Sequence, residues 1–393
     1  MSQANHPLIL IRRVRSSLRI AFLSWRDSTH PEGGGAEHYI ETIGELLTGR
    51  GHEVTIYCAA HPGANPHEVR RGVTYRRQGG RFGVYPRNLA ALRRDERKHG
   101  SYDAVVDVQN GVPFFSTLAT RSPVVLLCHH VHREQWPIVF GPLVSRIGWF
   151  VESQISPRFY RGRPYVAVSD ETRRELAELG VDADDVTVVH NGTDVPRALG
   201  VERAPDPTLV VLGRLVPHKR VEHAIDVLAR LRPDFPHLSL RVVGHGWWHD
   251  RIAEHAERSG VSDAVHLLGF VDEDTKHVEL ARSWVGLAPS VKEGWGLCVV
   301  EAASHGVPTV AYSHAGGLSD SIVDGRTGLL VRDLDEMTRA VRRLLVDEPL
   351  RSTMARAATA HAAAYTWPAA TDSWEDLLQH LSSSDDARMT TAP

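Results

Sequence analysis

Short apolar runs rich in β-branched residues alternate with amphipathic stretches along most of the chain. In the first half these runs include LRIAFLSW, EVTIYCAA, DAVVDVQ, PVVLLCHH, PYVAVSD and VTVVHNG. Most of them lack polar alternation, which is typical of strands that helices cover on both faces. Amphipathic stretches such as AEHYIETIGELLTGRG and DETRRELAELG, each closed by a glycine, predict the helices between them. The alternation predicts an α/β fold with a doubly wound parallel sheet.

The same pattern starts again after a stretch rich in proline, glycine and charge, NGTDVPRALGVERAPDPT. The second series of apolar runs contains LVVLGRLV, LSLRVVGHG, AVHLLGF, VGLAPS, PTVAYS and GLLVRD, with helical stretches such as RVEHAIDVLARLR. We therefore expect two α/β domains with doubly wound parallel sheets, over residues 18–192 and 207–365. We also expect an N-terminal extension over 1–17 and a polar, disordered tail over 384–393.

Composition and charge narrow the class of protein further. The chain of 393 residues has 42% hydrophobic and 24% charged residues, which is typical of an ordinary globular protein. Its net charge of −3 argues against a nucleic-acid partner. The three cysteines form no CxxC pair, and no apolar run reaches the roughly 18–20 residues that cross a bilayer. The first arginines follow the apolar LILI instead of preceding it, so we expect no signal peptide and a cytoplasmic protein.

Candidate chemistry lies in the loops that follow strands, because ligands of open parallel sheets bind beyond the carboxyl ends of the strands. In VVLGRLVPHK, Gly213 ends a predicted strand, Arg214 follows at once, and Lys219 stands near a helix start. Arginine binds phosphate oxygens through two hydrogen bonds, and helix amides add partial positive charge. These residues predict an anion site, with solvated surface charge as the alternative.

Two further glycine-rich turns precede predicted helices. Gly244 lies in RVVGHGWWHDRI, which resembles the start of a dinucleotide-binding turn except that His249 stands at the third glycine position. Gly33, Gly34 and Gly35 precede the helix of AEHYIETIGELL. Three consecutive glycines cost backbone entropy, which favours close approach to a ligand over a tight turn alone.

The run CHHVHREQW places His129, His130 and His132 just after a predicted strand. Three histidines allow a zinc site as one interpretation. No obvious further ligand completes such a set, so we expect no metal. We expect instead that a single histidine, His129 or His130, faces the cleft between the domains and binds a substrate.

Two glutamates eight positions apart flank a Gly-Trp-Gly turn in PSVKEGWGLCVVEAASHG. Glu293 lies in the predicted loop and Glu301 about one turn into the following helix, so the two do not pair on one helical face. The amides of residues 294–297 would face an anion, and the flanking carboxylates would accept hydrogen bonds from hydroxyl groups. A sugar nucleotide, with its phosphates between hydroxylated groups, fits this arrangement. A favourable contact with the helix dipole would explain only one of the two glutamates.

Together these motifs resemble the retaining glycosyltransferases of family four. That family has the GT-B architecture of two Rossmann-like domains, and its signature is a glutamate, seven residues and a second glutamate, as at Glu293 and Glu301. The GGGAE loop, the Gly-Arg…Lys element, VSDETRREL and HNGTD occur in the expected order. The resemblance covers about residues 18–383, and it implies that a helix over about 366–383 crosses back to the first domain.

The resemblance also implies roles for residues of the cleft. Glu293 would contact the hydroxyls of the transferred sugar, and Glu301 would hold the ribose. Arg214 and Lys219 would bind the diphosphate. The other donor-binding residues that it implies lie in loops of the second domain and are Gly213, Gly244, Phe270, Val271, Gly294, Trp295, Gly296 and Leu297.

In such enzymes the departing phosphate takes the proton of the acceptor on the same face of the sugar, so the resemblance implies no divalent metal and no other cofactor. It places His129 or His130 beside the sugar and Gly33–Gly35 in an acceptor or phosphate loop. The expected donor is a UDP-, GDP- or dTDP-linked sugar, and the acceptor stays open. The alternatives are an epimerase or phosphorylase of the same fold, or a sugar-nucleotide-binding protein without catalysis.

A basic segment over residues 70–98 holds ten arginines and lysines against two acidic residues. It lies in the predicted first domain, where the family binds acceptors. One interpretation is peripheral contact with an anionic membrane at its inner face, or binding of a lipid phosphate acceptor. The alternative is a solvated helix with a charged loop. The aromatic stretch EQWPIVFGPLVSRIGWF would fit membrane docking, core packing or an oligomer contact.

Overall fold

The computed structural model describes residues 17–194 and 200–390, with side chains as far as Ser383. The predicted N-terminal extension therefore lies outside the described residues, apart from Ser17. The chain forms two domains, each built on one sheet whose strands are nearly all parallel, which confirms the predicted α/β architecture.

The first domain contains an eight-stranded sheet. Its strands are β1 (Arg19–Leu23), β2 (Glu53–Cys58), β3 (His67–Arg70), β4 (Val73–Arg77), β5 (Ala104–Gln109), β6 (Val124–Cys128), β7 (Tyr165–Ala167) and β8 (Val186–Val188). Their order across the sheet is β3-β4-β2-β1-β5-β6-β7-β8, and only β3 runs antiparallel to its neighbour. Strands β5, β6 and β7 are buried at every position, which explains their continuous apolar sequences.

Helices cover both faces of this sheet. They are α1 (Gly35–Gly49), α2 (Val84–His99), α3 (Trp136–Val139), α4 (Pro142–Phe150), α5 (Ser156–Phe159) and α6 (Asp170–Glu178). A single π-helical turn, Val151–Ile155, joins α4 to α5. Alternate residues of β1 face opposite sides: Phe22 packs with α1, whereas Leu23 packs in the core that contains Leu92 of α2.

The second domain contains a six-stranded parallel sheet. Its strands are β9 (Thr208–Leu212), β10 (Ser239–Val243), β11 (Val265–Gly269), β12 (Val285–Ala288), β13 (Thr309–Tyr312) and β14 (Gly328–Val331), in the order β11-β10-β9-β12-β13-β14. Its helices are α7 (Val221–Leu231), α8 (His249–Arg258), α9 (Glu273–Arg282), α10 (Leu297–Ser304), α11 (Leu318–Ser321), α12 (Leu334–Val346) and α13 (Glu348–Ala362).

The last helix, α14 (Trp367–Thr390), returns to the first domain. Trp374 is completely buried there, its ring centre lies 6.1 Å from that of Phe22, and its indole N–H donates to the Tyr39 hydroxyl at 2.6 Å. The helix continues to Thr390 and so overlaps the tail that the sequence predicts to be disordered from 384. The final residues, 391–393, lie outside the described part of the chain.

The basic segment does not begin as the predicted solvated helix and loop. Its first part forms the β3–β4 hairpin at the edge of the first sheet, and only Val84–His99 is helical. Within the hairpin, alternate residues of β4 are buried, so Arg77 is an interior side chain. Four of the ten basic residues are committed to ion pairs with the first domain, which are Arg70–Glu41, Arg71–Glu45, Arg76–Asp95 and Arg77–Asp27.

The three cysteines, Cys58, Cys128 and Cys298, are all unpaired. No helix in the described ranges is both long and apolar enough to span a bilayer.

Candidate functional site

Four of the predicted site residues, Gly213, Arg214, Lys219 and Glu293, come together in a pocket at the carboxyl ends of β9 and β12. The pocket is lined by residues of the second domain that end or follow these two strands. Its polar and flexible lining residues are Gly213, Arg214, Lys219, Ser290 and Glu293, with Cys298 at one side. The anion site and the first glutamate, which the sequence placed separately, therefore share one pocket.

The two glycines after β9 and β10 pack against each other. Gly244 has φ of +140°, and a Cβ atom there would lie 1.9 Å from the carbonyl oxygen of Gly213. Its amide donates to the carbonyl of Gly269 at 2.9 Å. Contact between backbones therefore accounts for the glycine at 244, and the predicted approach to a ligand is not needed to explain it.

Arg214 crosses the cleft to the first domain. Its Nη1 donates to the Glu32 carbonyl at 3.0 Å, and a Cβ atom at Gly34 would lie 2.9 Å from its Nε. Burial lowers the pKa of Arg214, while the carboxylate of Glu37 acts in the opposite direction. Glycine at 34 thus makes room for the guanidinium between the domains.

The rest of the triple-glycine loop is held by its own backbone. A Cβ atom at Gly33 would lie 3.0 Å from three carbonyl oxygens, whereas one at Gly35 would meet no atom within 4 Å. The amide of Gly34 donates to the buried carboxylate of Glu37 at 2.8 Å, which ties the loop to the first turn of α1. Only Gly33 and Gly34 are therefore required by close packing.

Glu293 and Lys219 form an ion pair inside the pocket. The hydroxyl of Ser290 donates to the same carboxylate oxygen at 2.7 Å. Burial alone would raise the pKa of Glu293, but the ammonium of Lys219 outweighs it and holds the pKa below its usual value. Lys219 reaches this position from a short 3₁₀ turn, Pro217–Lys219, directly before α7.

Glu301 has its own lysine partner on the other side of α10. Lys276 of α9 donates from Nζ to Glu301 Oε1 at 2.7 Å and also contacts Glu273 at 2.5 Å. Burial alone would lower the pKa of Lys276, but the carboxylates of Glu301 and Glu273 outweigh it and hold the pKa above its usual range. The sequence did not indicate a role for Lys276 in the site. A lysine with acidic residues nearby on a predicted helix is typical of a surface position.

The turn between the two glutamates is tightly constrained. Gly296 has φ of +84° and immediately precedes α10, and a Cβ atom there would lie 2.3 Å from Leu318 Cδ2. A Cβ atom at Gly294 would lie 2.1 Å from the carbonyl oxygen of His129. The turn therefore touches the first domain directly, while the first two amides of α10, of Leu297 and Cys298, have no acceptor within the helix.

The side chain of Trp295 does not line the pocket, although the sequence analysis placed Trp295 among the donor-binding residues. Its side chain is 2% exposed and belongs to a core that residues of both domains share, with its ring centre 4.2 Å from that of His190 and 4.8 Å from that of Tyr365. Such an interlocked aromatic group buries a large apolar area. The indole of Trp295 thus joins the domains, and only its backbone can face the pocket.

Phe270 and Val271 follow β11, beyond the main pocket. Phe270 is 88% exposed, whereas Val271 is partly buried against the core that includes Val210 and Val243. The lining of the pocket beside Glu293 includes neither residue.

Of the adjacent pair His129 and His130, His129 has a buried ring nitrogen without a hydrogen-bond partner in the described residues. It is 5% exposed, and its Nε2 makes no hydrogen bond there. Burial lowers the pKa of His129 to about 4, so the ring is neutral at physiological pH. His130 is engaged elsewhere, because its Nε2 lies 2.9 Å from the side-chain oxygen of Gln135.

His132 and Glu152 form a further pair that the sequence analysis missed. Glu152 is completely buried on the π-helical turn, and its Oε1 lies 2.9 Å from His132 Nδ1 and accepts from the His132 amide at 3.0 Å. Its other oxygen accepts from the Trp136 indole at 2.6 Å. The ring centres of His130 and His132 lie 4.1 Å apart, with the ring planes tilted by 34°. Within the described residues, no cluster of three His, Cys, Asp or Glu side chains suited to a metal ion was found.

Further contacts explain other motifs of the sequence. Glu175, in VSDETRREL, forms an ion pair with Lys292 at the base of the glutamate turn. A Cβ atom at Gly192, in HNGTD, would lie 2.3 Å from the Trp367 amide nitrogen, and the Thr193 amide donates to the Tyr365 carbonyl at 2.9 Å. These two motifs therefore contribute contacts that hold the domains together. The residues that line the pocket lie in the cleft between the domains.

Solved structures of other proteins have the same arrangement of two domains. Sucrose-phosphate synthase from Thermosynechococcus elongatus superimposes with a TM-score of 0.80 at 19% identity, over 93% of this chain and 99% of that one. Anabaena HepE in complex with UDP-glucose gives 0.72 at 18% identity, over 92% and 100%. The fold is therefore that of the GT-B glycosyltransferases.

Two family models match successive parts of the chain. The model described as Glycosyltransferase Family 4 matches residues 33–197, and that described as Glycosyl transferases group 1 matches 198–361. Together they cover both domains, and the chain belongs to glycosyltransferase family four.

Among curated relatives, D-inositol 3-phosphate glycosyltransferase of Stackebrandtia nassauensis is 29% identical over 96% of this chain and 94% of its own length. A GDP-mannose-dependent phosphatidylinositol monomannoside mannosyltransferase of Mycolicibacterium smegmatis is 29% identical over 86% and 92%. Glycogen synthase of Mycobacterium tuberculosis is 33% identical over 49% of this chain, and the chain spans about half, 48%, of that relative.

Proposed function

We propose that the protein transfers a sugar from a nucleotide-sugar donor to an acceptor hydroxyl, with retention of configuration at the anomeric carbon. The observation that carries the proposal is the arrangement around the start of α10. Glu293 and Glu301 flank the turn, and each has a lysine partner, Lys219 and Lys276. Alternating anionic and cationic groups of this kind match a ligand with a diphosphate between two hydroxylated groups.

The diphosphate binds between Arg214, Lys219 and the first amides of α10 in this proposal. Lys219 then shares its charge between Glu293 and the phosphate oxygens, and Glu293 accepts hydrogen bonds from the sugar hydroxyls. Glu301 binds the ribose while Lys276 keeps it ionised. The backbone near Phe270 and Val271 contacts the base.

The first domain supplies the remaining contacts to the sugar. His129 is the better candidate of the adjacent pair, because its Nε2 has no partner in the described residues whereas that of His130 does. A neutral imidazole beside Gly294 can donate to or accept from a sugar hydroxyl.

In the reaction, the bond between the anomeric carbon and the diphosphate oxygen breaks as the acceptor oxygen attacks from the same face. The departing phosphate oxygen takes the hydroxyl proton of the acceptor. The protein contributes fixed charges at the developing diphosphate and the positioning of both substrates. We propose that this requires no divalent metal and no other cofactor.

The acceptor hydroxyl approaches from the side of His132 in this proposal. Glu152 accepts from His132 through the backbone amide and faces Nδ1, so the Nδ1–H tautomer is favoured and Nε2 remains as an acceptor. Nε2 would then orient the attacking hydroxyl.

The names of the relatives support a nucleotide-sugar donor and do not select among UDP-, GDP- and dTDP-linked sugars. Three unpaired cysteines support the proposal of a cytoplasmic location.

A thermal-shift screen of the full chain against UDP, GDP, dTDP and their sugars tests the donor class. We expect one nucleotide to raise the Tm by several degrees at saturation, because it binds only the folded state. Arg214→Gln should reduce this rise. If no nucleotide raises the Tm, the donor site is wrong.

Product analysis separates the alternatives that share this fold. A transferase releases the nucleoside diphosphate, whereas an epimerase converts the donor without releasing it. A phosphorylase requires inorganic phosphate and a pyridoxal cofactor, and a regulatory protein binds the donor without turnover.

A further inference from the structure

A group of exposed apolar side chains covers one side of the first domain. Eight of the fifteen large apolar side chains that are exposed in the described residues lie between Ile138 and Phe159, on α3, α4, the π-helical turn and α5. We call these eight side chains the apolar face. Leu143 is 72% exposed, and Ile147 and Phe150 are each 56% exposed. A concentration of this kind on one segment marks a contact surface, whereas scattered exposed apolar residues do not.

The orientation of α4 is the reverse of that in an ordinary surface helix. Its buried positions are Ser145 and Gly148, while four of its five large apolar residues, Leu143, Val144, Ile147 and Phe150, are exposed. The hydroxyl of Ser145 donates to the Trp136 carbonyl at 2.8 Å, and a Cβ atom at Gly148 would lie 2.4 Å from the Trp136 ring. Surface helices of globular proteins normally turn their large apolar side to the core. Because α4 is held against Trp136 by its small residues, the outward apolar side is a fixed feature of the fold.

The charged side chains of residues 135–169 are nearly all positive, with the exposed Glu134 directly before this range. Between residues 135 and 169 the only acidic side chain is Glu152, and it is completely buried. Arg146 is exposed within α4, and Arg158 is exposed beside Phe159. In the described part of the chain neither arginine forms an ion pair, and Arg158 contacts only Gln154. The exposed surface of this segment is therefore apolar and cationic.

Arg81 adds a further cation next to this segment. Its guanidinium lies 5.1 Å from the ring centre of Phe140 and 5.9 Å from that of Phe82, which is itself 74% exposed. Arginine on aromatic rings places charge beside apolar surface without burying it in the core.

We propose that the apolar face docks the protein on the surface of an anionic lipid bilayer. Large apolar side chains enter the boundary between headgroups and acyl chains, and arginines among them bind the anionic headgroups. A second copy of the chain fits this surface less well, since a two-fold interface would bring the arginines of both patches together without an exposed acidic side chain of the same segment to pair with them. This inference does not depend on the proposed reaction.

The apolar face is a stronger candidate for membrane contact than the basic segment 70–98. Four basic residues of that segment already have acidic partners within the first domain, and Arg77 is buried. The segment also lacks a comparable group of exposed apolar residues, with only Val69 and Phe82 exposed at or near it. Charge without apolar insertion gives weaker and more salt-sensitive binding.

Vesicle flotation with the full chain tests the proposal. We expect the protein to float with vesicles of phosphatidylcholine and phosphatidylglycerol, and much less with phosphatidylcholine alone. Leu143→Glu combined with Ile147→Glu should lower the bound fraction at least about tenfold, since two aliphatic side chains no longer insert. Val346→Glu, at a position 65% exposed in the second domain, is the matched control and should float like the native protein.

A second pair of substitutions guards against misfolding. Arg146→Glu combined with Arg158→Glu leaves the apolar side chains in place and should also reduce binding to the anionic vesicles. Failure of the native protein to float with these vesicles, or unchanged flotation of both double variants, overturns the proposal. So does a native dimer by light scattering that Leu143→Glu with Ile147→Glu converts to a monomer, because the surface then binds a second copy.

Discussion

Lys219 and Glu293 are 74 positions apart in the chain, and they form an ion pair in the pocket that the cleft encloses. Ser290 donates to the same carboxylate oxygen, so the glutamate is fixed from two sides. In the proposed reaction the lysine binds the diphosphate and the glutamate binds the sugar. This ion pair therefore connects the proposed binding residue of the diphosphate with that of the sugar.

Replacing Lys219 with methionine should lower kcat/KM for the donor by roughly 100-fold or more, because the leaving diphosphate loses a charge that stabilises it. The variant also leaves the partly buried Glu293 without its cation, which should lower the Tm. Steady-state release of the nucleoside diphosphate measures the first effect. Lys98→Met, at the exposed end of α2, should change neither quantity, and equal behaviour of the two variants would contradict the assignment.

Gly294→Ala should push the domains apart at their contact. The added carbon would lie 2.1 Å from the carbonyl oxygen of His129, and neither backbone can yield alone. We expect a loss of about 1–3 kcal/mol in the free energy of unfolding together with reduced turnover. Gly49→Ala, at the end of α1 where no atom lies within 4 Å, should be neutral or slightly stabilising. Chemical denaturation of both variants checks this, and equal losses would argue against the contact.

His129 should make the stability of the protein depend on pH below neutrality. Burial lowers its pKa to about 4, from an ordinary value of 6.5. Between these two values the unfolded chain binds more protons than the folded one, so stability falls as the pH drops through this window. His129→Gln should flatten the curve of Tm against pH between 6.5 and 4, whereas the exposed His237→Gln should not. Parallel curves for the native protein and His129→Gln would show that the ring is not buried in the neutral form.

Glu152→Gln tests the orientation of His132. The amide can still accept from the Trp136 indole, but it favours the Nδ1–H tautomer of His132 less strongly than a carboxylate does. We expect turnover to fall about 10- to 100-fold through misplacement of the acceptor, while the Kd for the nucleoside diphosphate stays unchanged in calorimetry. The exposed Glu134→Gln, in the same loop, serves as control. A parallel loss of nucleotide affinity would indicate a structural role alone.

The sheets could be predicted because their central strands are covered on both faces. The apolar runs of β5 and β6 have no polar alternation, and every residue in them is buried. The pairing β3–β4 was missed, since VTYRR carries two arginines whose acidic partners include residues distant in the chain, Asp95 and Asp27. Partners at that distance leave no local signal.

The candidate site was predictable where a residue type stands directly after a strand or before a helix. Gly213 and Arg214 do so, Glu293 lies in the loop between β12 and α10, and the structure brings the three into one pocket. Lys276 and Glu152 lie on helical segments where sequence alone shows only charge, and their roles depend on burial. Trp295 is an example of a residue that sequence analysis assigned to the site although its side chain lies elsewhere. Its neighbours in the sequence place it in the turn, but its side chain packs into a core that both domains share.

The most direct test of the account is turnover of a panel of UDP-, GDP- and dTDP-sugars by the native protein and by Glu293→Gln. We predict that the native protein releases the nucleoside diphosphate from one class of donor, and that NMR of the product shows a retained anomeric configuration. Glu293→Gln should bind the same nucleotide but lose nearly all turnover. Failure of every donor, inversion at the anomeric carbon, or undiminished activity of Glu293→Gln would contradict the proposed function.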